Sequence, residues 1–142
     1  MGRSRGGLTT KIHALVDADG LQIDLRLSEG QHADCRYAED LLTRLHAGTT
    51  RLADRGYDTD AIRAKANQVK AFANLPAKRN RKKTFAFSSF LYRYRNLVER
   101  FFNRLKEARG IATRYDKRAD NYLAAIKLFS VRLWLRRYES TA

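Results

Sequence analysis

Tyr92, Arg95, Glu99 and Lys106 lie in one run, Leu91 to Lys106, at the spacing Tyr-x2-Arg-x3-Glu-x6-Lys. At about 100° per residue on an α-helix, these four fall within one arc roughly 60° wide. Leu91, Tyr94, Leu97, Val98, Phe101, Phe102 and Leu105 fall on the other side. A helix over about 88–109 would carry one acid flanked by two cations and a phenol, with an apolar back. That arrangement can hold a metal-binding carboxylate against phosphates. It also suits a plain surface helix, in which Arg95 and Glu99 are an ordinary i, i+4 pair.

A second acid, Asp54, ends the short stretch Thr50-Arg-Leu-Ala-Asp54, which reads as a strand. An acid at the carboxyl end of a parallel strand stands where α/β sheets place their sites. The alternative is a strand-end or capping residue. Asp58 and Asp60 are better caps for the helix expected over about 60–67, which favours a functional reading of Asp54. Magnesium takes oxygen ligands and keeps several waters, so two or three carboxylates plus substrate phosphate suffice. Two such ions can activate a water or a 3′-hydroxyl and stabilise the leaving oxygen. Asp54 and Glu99 are the candidate pair, both as metal ligands and as catalytic carboxylates. Arg95 and Lys106 would hold phosphate oxygens or a flipped base, and Tyr92 would donate a hydrogen bond to a phosphate. Arg79, Arg81, Lys82 and Lys83, in the basic loop 77–83, would track a DNA backbone without reading sequence.

The elements that must position these residues alternate in type. Residues 11–17 read as a strand, Asp19-Gly20 as a hairpin turn, and 21–28 as a second strand. In that strand Leu21, Ile23, Leu25 and Leu27 alternate strictly with polar residues. Asp34 caps an expected helix through Leu45, closed by Gly48. Asp58 or Thr59 caps the helix near 60–67. Residues 69–75 form a further strand, stopped by Pro76. Helices follow at about 88–109, ended by Gly110, and about 118–138. In the last helix Tyr122, Leu123, Ile126, Phe129, Leu133 and Trp134 recur at helical spacing and read as core rather than as a base-stacking platform. The plan is mixed α/β.

The formal net charge is +14, from 29 Lys and Arg against 15 Asp and Glu. Such a surplus attracts polyanions, nucleic acid first and a membrane surface second. An apolar share of 44% is enough for a core and excludes a disordered basic tail. The single cysteine, Cys35, excludes an internal disulfide and a cysteine zinc cluster. His13, His32 and His46 are too scattered for a metal site. No apolar run is long enough to span a membrane, and residues 1–7 lack the apolar region of a signal peptide. The expected location is the bacterial cytoplasm, with the nucleoid.

The chain resembles the carboxyl-terminal part of bacterial insertion-sequence transposases of the DDE class, most of all the insertion-sequence-five family. The segments that carry the resemblance are Gly2 to His13, Leu52-Ala-Asp-Arg-Gly-Tyr-Asp58, Asn96 to Lys106, and Ile111-Ala-Thr-Arg-Tyr-Asp-Lys117. Tyr92, Arg95, Glu99 and Lys106 match that family's Tyr-Arg-Glu-Lys signature. The resemblance implies an α/β fold: a ribonuclease-H-like mixed sheet with flanking helices and a helical carboxyl-terminal region. It makes Asp54 the second catalytic Asp and Glu99 the catalytic Glu. It implies metal-dependent cleavage and transfer of DNA strands at insertion-sequence ends, with two Mg²⁺ or Mn²⁺ ions, and DNA ends and target as partners.

The family's first catalytic Asp lies on the first, central strand, upstream of the Gly2–Gly7 segment at which this chain begins. The expectation is therefore a partial catalytic domain over 1–142, with sheet and crossover helices in 11–76 and a helical region carrying Glu99 in 88–138. Missing a central strand leaves sticky edges, so the isolated chain should be marginally stable or aggregation-prone. It should be inactive alone and completed by an upstream-frame product, through translational frameshifting, or by a homo-oligomer. The alternative is a basic DNA-binding module or decayed remnant without catalysis.

Overall fold

The computed structural model describes residues 2–4, 7–30, 37, 40, 46–114 and 117–141. Of the helix expected from Asp34 to Leu45, only Tyr37 and Asp40 are described, both helical; the rest, with His32 and Cys35, lies outside the described residues. The chain divides into two compact units: Met1–Gln31 with Asn96–Ala142, and His32–Arg95. The mixed α/β character expected from the pattern is present, as two small sheets with helices.

The first unit holds an antiparallel sheet in the order β1 (Gly2–Ser4), β2 (Gly7–Val16), β3 (Gln22–Glu29). The hairpin turn falls where Asp19-Gly20 predicts. Gly20 takes a positive φ of 77°, and the Asp17 carboxylate accepts from the backbone N–H groups of Asp19 and Leu21. Strict alternation fails at one place. Leu15 pairs with Asp24 but Val16 pairs with Gln22, so Ile23 is an extra residue and is 45% exposed. Beyond the bulge, Leu25 is buried and Leu27 packs on the core. The Trp134 indole donates to the carbonyl of Gln22 at 2.9 Å, beside the bulge.

Three helices cover this sheet's apolar face: α3 (Asn96–Glu107), α4 (Arg109–Ala112) and α5 (Ala119–Thr141). Their core is Phe101, Leu105, Ile111, Tyr122, Ile126 and Leu133 against Leu21 and Leu25. The aromatic and aliphatic residues of α5 predicted as core are buried or packed against it. Gly110 does not end a helix. The break falls at the extended Ala108, and Gly110 sits inside the short α4.

The second unit is built on β4 (Thr50–Leu52), α1 (Asp60–Gln68) and β5 (Phe72–Asn74), with β4 parallel to β5. Parallel pairing is what a helical crossover produces. Thr59, not Asp58, caps α1: its hydroxyl accepts from the Ile62 N–H at 3.2 Å. Among the described residues, the core of this unit is Ile62 and Leu75, with Ala53, Tyr57 and Ala73 beside them. Arg51 on β4 is buried, its Nε and Nη1 without a hydrogen-bond partner among the described residues, and burial draws its pKa down. Helix α2 (Ser89–Tyr92) follows, then a 3-10 turn, Arg93–Arg95.

Candidate functional site

Asp54 lies two residues beyond the end of β4 and immediately precedes a 3-10 turn, Arg55–Tyr57, as its N-cap residue. Its carbonyl accepts from the Tyr57 N–H, but its side chain makes no capping bond. The carboxylate is 57% exposed and is gripped elsewhere: the Tyr92 hydroxyl donates to Oδ1 at 3.3 Å, and Arg95 Nη1 reaches the same oxygen at 2.9 Å. The Arg95 guanidinium also stands 5.9 Å from the centre of the Tyr92 ring. Burial first, and the negative charge of Asp54 second, push the Tyr92 phenol above its ordinary pKa. An open hollow of about 520 Å³ adjoins this group, lined by Asp54, Arg55, Gly56, Pro76, Phe87 and Tyr92.

Two side chains fix the approach of Tyr92 and Arg95. Asn74, at the end of β5, is fully buried and bonds Ser88 twice: Asn74 Nδ2 donates to the Ser88 carbonyl at 2.9 Å, and the Ser88 N–H donates to Asn74 Oδ1 at 2.7 Å. The Ser88 hydroxyl then caps α2 by accepting from the Leu91 N–H. One turn of helix later come Tyr92 and the tightened turn ending at Arg95. The sequence offers no signal for Asn74 as a positioning residue, because its partner is 14 residues away.

The basic loop is not uniform. Arg79, Lys82 and Lys83 are exposed, but Arg81 turns inward. Its Nε donates to Asp58 Oδ2 at 2.6 Å and its Nη1 to Asp60 Oδ1 at 2.6 Å. Arg63 Nε donates to Asp58 Oδ1 at 2.7 Å, and the Lys78 backbone N–H to Oδ2 at 2.8 Å. Burial alone would raise the Asp58 carboxyl, yet the bonds from Arg81, Lys78 and Arg63 outweigh it and hold the pKa at about 2. Asp58, expected as a cap, is instead the buried post to which the loop is tied. Both guanidiniums lie over the Phe85 ring, Arg63 at 3.9 Å and Arg81 at 5.1 Å from its centre.

Glu99 and Lys106 belong to the first unit, both exposed on α3, in its first and last turns. Those positions suit the helix dipole. The chain is not one uniform α-helix from Tyr92 to Lys106, because the turn Arg93–Arg95 is 3-10. A 3-10 turn advances about 120° per residue, so a single arc drawn at 100° holds only within α3. There the apolar back is as expected, with Phe101 and Leu105 buried. Tyr94, assigned to the same apolar face, is exposed. His13 is a core histidine, 2.7 Å from the Ser28 hydroxyl. Among the described residues no group of three His, Cys, Asp or Glu is gathered for a metal, and no helix is long and apolar enough to cross a membrane.

Comparison with known proteins gives the family. A family model described as a transposase DDE domain matches residues 2–134. A Brucella ovis protein named as a transposase for insertion sequence element IS6501 is 36% identical over 130 residues, which cover 91% of this chain and all of that protein. No solved structure matches. By the breadth of both matches, the chain belongs to the DDE-domain transposases of insertion sequences.

Proposed function

We propose that the chain carries part of the chemistry of DNA transposition: metal-dependent cleavage and transfer of strands at insertion-sequence ends, on a ribonuclease-H-like plan. The observation that carries this reading is Asp54, just past the carboxyl end of a parallel strand, its side chain free of capping duty and gripped by Tyr92 and Arg95. Its exposed carboxylate is the hard oxygen donor that Mg²⁺ or Mn²⁺ takes. In this reading Glu99, substrate phosphate, water and a partner polypeptide supply the remaining ligands. When bound, such ions supply charge for the attacking and leaving oxygens. The chain's own cations do the rest. Arg95 exchanges Asp54 for a DNA phosphate, Lys106 holds a second phosphate, and Tyr92 keeps its hydrogen bond to Oδ1. Arg79, Lys82 and Lys83 track the backbone, while Arg81, committed to Asp58, is the least suited of the four.

The test mixes the chain with terminal-repeat DNA and Mg²⁺ or Mn²⁺, alone and with the upstream-frame product. Alone, it binds in a salt-sensitive way and does not cut, because one Asp and one Glu hold two ions poorly. With the partner it cuts, and Asp54→Asn or Glu99→Gln abolishes cutting. Binding without cutting under both conditions supports the alternative, a DNA-binding module without catalysis.

A further inference from the structure

Residues 77–95 hold seven cations (Lys78, Arg79, Arg81, Lys82, Lys83, Arg93, Arg95), five aromatics (Phe85, Phe87, Phe90, Tyr92, Tyr94) and no acid. Aromatic rings bury the most apolar area per residue and usually dominate a core. This unit does the reverse. Among the described residues its buried core cluster is Ile62 and Leu75, while Phe85, Phe87, Phe90 and Tyr94 are all exposed, Phe90 at 60% and Tyr94 at 51%. The rings are also organised. Phe90 and Tyr94 stand edge to face 6.3 Å apart, one helical turn from each other, and the Arg93 guanidinium lies 4.4 Å from the Phe90 ring centre. Phe87 pairs with Tyr92 at 5.4 Å and lines the hollow beside Asp54.

We propose that this segment is a stacking surface for unpaired bases of single-stranded DNA, with Phe90 and Tyr94 as its platform. Aromatic faces bind bases of any sequence, and interleaved cations follow the phosphates. The absence of any acid fits a polyanion, and flat rings fit bases, which a duplex keeps stacked on each other. The inference deepens the proposed function: a strand opened at a cut end would be held next to Asp54.

The experiment measures binding of the full chain to an oligothymidylate carrying one 2-aminopurine, to the same strand as a duplex, and to phosphatidylcholine–phosphatidylserine vesicles, across a salt series. Phe90→Ala with Tyr94→Ala should weaken single-strand binding about tenfold or more and remove the 2-aminopurine quench. Duplex binding should change less than about twofold, and the salt slope should stay the same, because no phosphate contact is lost. Tyr94→Phe, which keeps the ring, should retain binding. Phe90→Leu, which keeps apolar volume without a π face, serves if the double variant unfolds, and should lose the quench. Equal losses on single strand and duplex, an unchanged single-strand affinity, or a loss confined to vesicles would each overturn the proposal. If the unmodified chain binds no DNA of either form, the transposition reading fails with it; duplex binding without the aromatic dependence sinks only the platform.

Discussion

Asp58 is the residue on which the basic loop turns. A carboxylate bonded by two guanidiniums and a backbone N–H leaves two buried or half-buried cations stranded when it is lost. Asp58→Asn should therefore destabilise the chain by about 3–5 kcal/mol, read from urea unfolding. The same residue sets an acid limit. Its folded pKa of about 2 lies below the ordinary 3.8, so its contribution is complete above about pH 4 and disappears as pH falls towards 2. The depression corresponds to about 2 kcal/mol. Unfolding midpoints followed from pH 5 to 2 should fall steeply in the native chain and far less in Asp58→Asn. Arg81 shares this role: Arg81→Ala should lower stability while leaving the salt dependence of DNA binding nearly unchanged.

At the scale of elements, α5 presents two apolar faces. One holds Tyr122, Ile126 and Leu133 in the core. The other carries Leu128, Val131, Leu135 and Tyr138, at steps of 3, 4 and 3, and all four are exposed, Leu128 at 73% and Leu135 at 57%. A second apolar stripe left exposed on a helix is a liability in solution. Replacing Leu128 and Leu135 by Gln should change the melting free energy by less than about 0.5 kcal/mol per site, because little burial is lost. It should also reduce light scattering on concentration; scattering that stays the same would show that the stripe is not the sticky surface. Helix α2 teaches a related lesson. Its placement depends on the buried Asn74–Ser88 pair, and Asn74→Ala leaves the two backbone groups of Ser88 short of partners. A loss of about 1–3 kcal/mol in chemical unfolding is expected.

For the whole molecule, charge governs association. With a net charge of +14, DNA affinity should fall linearly on a log–log plot against salt, by about 0.9 per phosphate neutralised. Replacing Arg79, Lys82 and Lys83 together by Ala should cut that slope by about 2–3, as measured by anisotropy on duplex DNA. An unchanged slope would remove the loop from the interface.

Sequence alone determined a good deal here. The β2–β3 hairpin turn, the buried face of α5, the β4–α1–β5 unit and the family itself were legible, because they rest on local chemistry: turn residues, periodic apolar positions and a spaced signature. The tertiary structure decided what depends on distant partners. Asp58 became a buried anchor and not a cap because Arg63, Lys78 and Arg81 converge on it. Arg81 left the exposed basic set for the same reason. Ile23 turned outward because a bulge in pairing with β2 shifts the alternation, which no reading of one strand reveals. The grip of Tyr92 and Arg95 on Asp54, across 38 residues of chain in the case of Tyr92, follows from folding alone, since spacing along a helix says nothing about what a strand end brings to meet it.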